Sequence, residues 1–397
     1  MTINGDTTTN TGPLAGIRVV EMVGIGPGPF AAMLLADLGA DVVRVHRPGG
    51  GGLQITAPEQ DLLGRGRPSV ALDLKDPRGV ETVLRLVEKA DVLIEGFRPG
   101  VTERLGIGPD DCLARNPALV YGRMTGWGQD GPLSQSAGHD MNYIAVAGAL
   151  DSLARRRDDA PTFPMNLLGD FGGGSMYLVT GVLAALLSAR TTGVGQVVDA
   201  AITDGTAHLM TMAVTMQQAG IWDGRRGTNL LGGAAPFYDV FETSDGRWMS
   251  VGPLEPQFFA AFVELMGGEL PGQYDLKEWG TLRAELEKRF AERTQAEWTE
   301  VFDGSDACVH PVLPLVEAYE HPHNVARGTY VEHEGTTQPA PAPRFSGTPA
   351  TLTTPPVAPG TNTRDALTAW GIDDVESLIA DGIAVQTDPD TTGENPT

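Results

Sequence analysis

Two ionisable residues, thirty-one positions apart, sit in surroundings that suit proton transfer. His139 lies in Gly138-His139-Asp140-Met141-Asn142-Tyr143, and Asp170 in Leu168-Gly169-Asp170-Phe171-Gly172-Gly173-Gly174-Ser175. Each precedes an apolar run of helical period. Each is therefore expected at a helix N-terminus, where unbonded N–H groups and the macrodipole favour negative charge. Imidazole changes protonation near neutral pH, and a carboxylate shielded from water binds its proton more tightly. An acid and a base beside N–H donors suit a reaction through an oxyanion, such as removal of a proton next to a carbonyl. Asp140 reads as a helix cap before it reads as a catalyst.

The elements that must position these residues follow a regular alternation. Residues 17–23 read as a buried strand, the Gly/Pro turn 24–29 leads into a helix over 30–38, and 41–45 read as a second strand. Such a βαβ unit predicts a parallel sheet with a right-handed crossover. A strand within 65–75, a helix over 79–89, and strands at 91–95 and 119–125 extend it into a doubly wound α/β domain. The first turn departs from a dinucleotide fingerprint, because Pro29 occupies the place of the third glycine and the second strand ends in His46-Arg47 instead of an acidic ribose ligand. Arg47, at the carboxyl end of a parallel strand, points to a phosphate; a solvated surface side chain is the alternative.

Beyond Asp170, the pattern gives a helix over 176–190, a strand at 195–202 and a long helix over 204–220. Its methionines, Met210, Met212 and Met216, suit either an adaptable acyl-binding surface or core packing. Residues 237–251 form a hairpin pattern with Ser244-Asp245-Gly246 at its turn, and helical runs at 256–266 and 282–302 complete a smaller α+β domain. A proline-rich stretch, 338–360, reads as an extended return, and 363–378 as a closing helix. The expected division is a polar tail over 1–12, a large domain over 13–205, a linker over 206–233, a small domain over 234–330, a return segment over 331–382 and a disordered tail over 383–397.

Composition narrows the function classes. The chain of 397 residues carries a formal net charge of -23, which repels nucleic acid and anionic membranes. Between Asp41 and Met124, however, basic and acidic residues balance at 12 each, so an anionic ligand is tolerated there. Two widely separated cysteines, Cys112 and Cys308, predict a reducing, cytoplasmic setting without structural zinc. Met1–Gly12 lacks the pattern of a signal peptide. The most apolar run, 176–187, contains Gly181 and is read as too short to span a membrane.

Several segments together resemble the family III CoA-transferases of the CaiB/BaiF type: Leu14 to Glu21, Leu38 to Val45, Ala71 to Lys75, Asp91 to Gly100 and Thr125 to Pro132. Ala137-Gly138-His139-Asp140 with Asn142-Tyr143 is similar to the α-methylacyl-CoA racemase branch, whereas ordinary transferases share the Gly-Asp at Asp170 but lack the histidine. The resemblance runs from about residue 13 to 370 and implies a Rossmann-like parallel-sheet domain, a smaller domain and an interlocked homodimer. It implies interconversion of (2R)- and (2S)-2-methylacyl-CoA through an enolate, with His139 and Asp170 as paired acid and base. Glu255, in Leu254-Glu255-Pro256, would orient or tune His139; by itself it reads as the opening of the helix that Pro256 begins. Arg47 and Arg98 would meet the adenosine phosphates, with Ala71, Leu72, Leu74 and the basic side chains between Arg65 and Lys75 nearby. Which of Arg65 and Arg67 contacts phosphate stays open. Gly138, Asp140, Met141, Asn142 and Tyr143 would contact the pantetheine arm and thioester. No metal or redox cofactor is expected, since coenzyme A enters with the substrate. The alternative activity is CoA transfer to a carboxylic acid with Asp170 as nucleophile.

Overall fold

The structure, a computed structural model, describes residues 11–50 and 55–388. The glycine run from Gly49 and both expected tails therefore lie partly outside the described residues. In chain order the first elements are β1 (Arg18–Met22), α1 (Pro27–Asp37), β2 (Asp41–His46), β3 (Ser69–Leu72), α2 (Pro77–Val87), β4 (Val92–Glu95), α3 (Val101–Leu105), α4 (Pro109–Arg115), β5 (Val120–Thr125) and α5 (Asp140–Val146). After the single turn α6 (Ala149–Ser152), a π-helical segment, Leu167–Ser175, runs directly into α7 (Met176–Thr192) and on to β6 (Gln196–Ala201) and α8 (Ile202–Leu209).

Parallel pairing joins these strands in the order β3-β2-β1-β4-β5-β6. The order reverses between β1 and β4, and open sheets of this kind bind ligands in the crevice outside the carboxyl ends at that point. Alternation along β1 sends Val19 to one apolar cluster and Val20 and Met22 to another. The first cluster holds residues of α1 and α7, the second residues of α2 and α4, so helices cover both faces.

The remaining elements are α9 (Thr211–Gln218), β7 (Asp239–Glu242), β8 (Trp248–Val251), α10 (Pro256–Met266), α11 (Trp279–Phe290), α12 (Gln295–Phe302), β9 (Val309–Pro311), α13 (Leu315–Ala318), α14 (Pro322–Arg327), β10 (Tyr330–His333), β11 (Thr336–Pro339), α15 (Thr363–Ala369), α16 (Val375–Ala380) and β12 (Ala384–Val385). Contacts divide the chain into two compact units, the first and larger holding residues up to 147, 165–209 and those from 328 on, the second residues 148–164 and 210–327. The second unit carries the antiparallel sheet β7-β8-β9 and an aromatic core that includes Phe241, Phe262, Phe290, Trp298 and Phe302. Its Asp239 accepts from Arg155 at 2.8 Å and Arg156 at 3.0 Å, and also from Arg283.

Four local expectations change. Residues 148–164 cluster with the second unit, although chain order assigned them to the large domain. The long helix expected over 204–220 is two helices that meet at Met210, where the chain passes between units, and none of Met210, Met212 and Met216 is buried. Residues 383–385 belong to the fold and not to a tail: Ile383 is buried, and β12 pairs antiparallel with β3 through Ala384–Leu72 and Val385–Ala71. At the other end Gly12 is buried against the backbone of Leu38 and Gly39. Finally, Leu167–Thr192 is a continuous helix of 26 residues, long and apolar enough to cross a membrane by length and composition alone. Gly181 does not interrupt it. The missing Cβ of Gly181 makes room for Val198 of β6, because a Cβ there would lie 2.6 Å from Val198 Cγ1.

The two arginines left open as phosphate ligands are buried in the large unit. Arg65 donates to Asp37 at 2.6 Å, to Gln338 Oε1 at 2.9 Å and to Pro339 O at 3.0 Å. Arg67 donates to Glu21 at 2.6 Å and to Pro29 O at 3.1 Å, with Arg44 3.2 Å from the same Glu21 oxygen. Burial lowers the Arg67 pKa to about 10, which leaves it charged at neutral pH. Their role is to brace β1, α1 and the return segment. Removing one partner of a buried pair strands the other charge, at a cost of about 3–5 kcal/mol. Arg67→Ala should therefore lower the urea midpoint markedly, while Arg67→Lys, which keeps a positive charge beside Glu21, should lower it less.

Candidate active site

A cavity of about 490 Å³ opens at the carboxyl ends of β1, β4 and β5. It is lined by the 24–29 turn, by Phe97 and Arg98, by Thr125 to Trp127, and by His139, Tyr143, Asn166 and Asp170. The site thus lies at the reversal of strand order and brings His139 and Asp170 to one space.

His139 is the N-cap of α5. Its backbone N–H donates to Asn142 Oδ1 at 3.0 Å, and its carbonyl accepts from Asn142 N at 2.8 Å, a reciprocal cap that leaves the imidazole exposed. Asn142 is therefore committed, through its Oδ1, to holding His139. The N–H groups of Asp140 and Met141 open the helix and have no intrahelical acceptor. Tyr143 donates its hydroxyl to Gly138 O and meets Trp127 edge to face at 4.8 Å. Only glycine fits at 126, because a Cβ there would come within 2.0 Å of the Tyr143 ring.

Asp170 stands in the first turn of the π-helical segment, whose N-cap is Asn166. Asn166 Nδ2 lies 3.4 Å from Asp170 Oδ2, and Gly26 faces the same oxygen. Phe171 stacks on Phe30 of α1 at 4.4 Å, and Ser175 Oγ lies 2.8 Å from Pro27 O and 3.1 Å from Asp170 O. These contacts fix the turn against α1. Burial pushes the Asp170 carboxyl up to about 6; the Asn166 amide opposes that rise, the charge of Asp140 adds to it, and His139 opposes it. Asp170 therefore exchanges its proton near neutrality.

Asp140 joins the two halves. Its side chain is buried, and Oδ1 accepts the Asp170 N–H at 2.6 Å, with Gly169 N–H as a second donor. The expected cap is present, but it caps the neighbouring helix instead of its own. The N–H groups of Gly169 and Asp170 are consequently turned to Asp140 and not to an oxyanion.

The other predicted residues distribute unevenly. Arg98 is exposed and lines the cavity. Met141 is also exposed. Arg47 lies exposed beyond β2 with Nε 2.5 Å from Gly50 O, and it is not among the cavity-lining residues. Ala71 and Leu72 are buried in β3, the Ala71 N–H bonded to Thr363 Oγ1 at 3.1 Å, and Leu74 packs partly buried against the core. The side chains of Ala71 and Leu72 belong to the core, and β12 and α15 cover that edge. Glu255 is exposed in the second unit as the N-cap of α10, without a side-chain cap bond. Among the described residues, no three or more His, Cys, Asp and Glu side chains cluster as a metal site. Sequence reasoning missed Asn166, Trp127 and the 24–29 turn as lining. The signals are modest: Asn166 precedes Asp170 by four residues, and the turn lacks a dinucleotide fingerprint.

The model described as CoA-transferase family III matches residues 14–363. The chain belongs to this family. It is 44% identical to human α-methylacyl-CoA racemase over 85% of this chain and 87% of the relative, and 45% identical to the mouse racemase with the same coverage. The crystal structure of a CaiB/BaiF family protein from Brucella suis superposes with a TM-score of 0.79 at 26% identity, covering 91% of this chain and all of that one. The doubly wound sheet with its smaller unit is thus the architecture of the family.

The clamp depends on Gly169, since a Cβ there would lie 2.3 Å from Asp140 Oδ1. Overpacking of this kind costs about 1–3 kcal/mol. Gly169→Ala should lower the melting temperature measured by circular dichroism and weaken the Asp170 anchor, whereas Gly272→Ala, in open space on an ordinary backbone, should show a smaller loss.

Proposed function

We propose that this protein is an α-methylacyl-CoA racemase, interconverting (2R)- and (2S)-2-methylacyl-CoA. The observation that carries the reading is the pairing of His139 with Asp170 along one cavity at the sheet's reversal point, in a chain 44–45% identical to racemases so named. One residue takes the α-proton as base, the thioester becomes an enolate, and the other returns a proton to the opposite face. No electrons leave the substrate, so no redox partner is needed. The α5 N–H groups at Asp140 and Met141 stabilise the enolate oxygen. An Asp170 pKa of about 6 leaves a useful population of both protonation states near neutrality.

Arg98, exposed at the cavity, is assigned to the CoA phosphates together with Arg47. Glu255 is assigned to orienting His139. A homodimer is the proposed working form, and the exposed apolar side chains Leu209, Met212, Val214 and Ile221 support a covering partner. The proposed setting is cytoplasmic, in keeping with unpaired Cys112 and Cys308.

In deuterium oxide the protein should exchange the α-proton of a 2-methylacyl-CoA, as read by mass spectrometry. His139→Ala and Asp170→Ala should each slow exchange by about 10²–10⁴-fold. Absence of exchange in the unaltered protein, with CoA passing to a free acid through a trapped adduct on Asp170, would favour the transferase reading. With Asp170 as base, the rate should rise with pH through about 6, because its raised pKa keeps the carboxyl protonated below that point.

A further inference from the structure

Asp140 belongs to the proposed site, yet neither half of the acid–base pair includes it. Its position is more specific than a surface cap requires. The carboxylate arises from the first residue of α5, directly after His139, and Oδ1 reaches across to the Asp170 N–H at 2.6 Å. Gly169 leaves the space for that approach. The second oxygen, Oδ2, is buried without a hydrogen-bond partner. A carboxylate used only as a cap would ordinarily turn its free oxygen to water or to a donor. Here a negative charge is retained, half-satisfied, beside another carboxyl.

We infer that Asp140 is a positioning residue that sets both the place and the proton affinity of Asp170. One contact couples the start of α5 to the first turn of the π-helical segment, so His139 and Asp170 cannot shift independently. The same carboxylate is a like charge held against Asp170 by that hydrogen bond, and a like charge disfavours ionisation of its neighbour. The other groups facing Asp170 are the Asn166 amide, the His139 imidazole and the Tyr143 phenol, with Arg98 acting on Tyr143. Asn166 and His139 favour the ionised carboxyl, so Asp140 is the nearby charge that counteracts them. Asp140 itself holds its proton more tightly than an exposed aspartate because of burial, opposed by the N–H groups of Asp170 and Gly169.

This inference builds on the racemase reading, but its test does not depend on turnover. Asp140→Asn keeps an oxygen that can accept the Asp170 N–H and removes the charge; Asp140→Ala removes both. Carbon-13 labelling of aspartate carboxyls, with the Asp170 resonance assigned through Asp170→Asn, reads the titration directly. In Asp140→Asn the Asp170 midpoint should move to lower pH, and the acid limb of α-deuterium exchange should move with it. Asp140→Ala should also lower kcat more than it changes KM, because the anchor is lost. An unmoved Asp170 midpoint in Asp140→Asn, in protein whose circular dichroism matches the unaltered chain, would overturn the inference. A shifted midpoint in a chain that exchanges no α-proton would uphold it while rejecting the racemase reading.

Discussion

The hydrogen bond from the Asp170 N–H to Asp140 Oδ1 is the contact on which the arrangement of the site depends. A histidine placed by one helix start and a carboxyl placed by another can act on opposite faces of a carbon only if the two starts hold a fixed relation. Backbone geometry alone does not provide this. Asp140 follows His139 directly in the chain and binds the main chain of Asp170, so a single side chain joins the two positions.

The clamp needs a stiff support, and the sheet supplies it through buried charge as much as through apolar packing. Glu21 on β1 is held by Arg44 and Arg67, and Asp37 at the end of α1 by Arg65. These pairs tie the strand and helix that flank the 24–29 turn, and that turn faces Asp170. Arg65 and Arg67, which the sequence leaves open as phosphate ligands, are therefore braces for the cavity wall. Charge counting could not separate these roles, because a buried arginine and a phosphate-binding arginine look alike until the acidic partner is located.

Much of the architecture was legible. The βαβ alternation, the hairpin with Ser244-Asp245-Gly246 at its turn and the helix starts at His139 and near Asp170 all follow from local periodicity and turn chemistry. What remained hidden was long-range. The pairing of β12 with β3, the grouping of residues 148–164 with the second unit and the burial of Arg65 and Arg67 each depend on segments distant in sequence. The helix break at Met210 was equally hidden, since its apolar period continues across a place where the chain changes unit. At the site, the residue types of His139 and Asp170 were readable, but Asp140 looked like a cap for its own helix. Only the fold reveals that its acceptor serves the other one.

The edge strand β12 carries a consequence for how the molecule is made. It covers β3 with the last described strand of the chain, pairing residues 71–72 with 384–385. During synthesis β3 precedes β12 by most of the described fold, and its outer edge lacks this neighbour until residues 384–385 have left the ribosome. An open strand edge is a template for pairing with other chains. Thr363 and Asn362, which bond to Ala71 and Ser69, arrive only slightly before β12. The large unit is thus completed by its C-terminal segment, and a chain stopped after the second unit would carry the cavity's main residues on a sheet whose border remains unsealed.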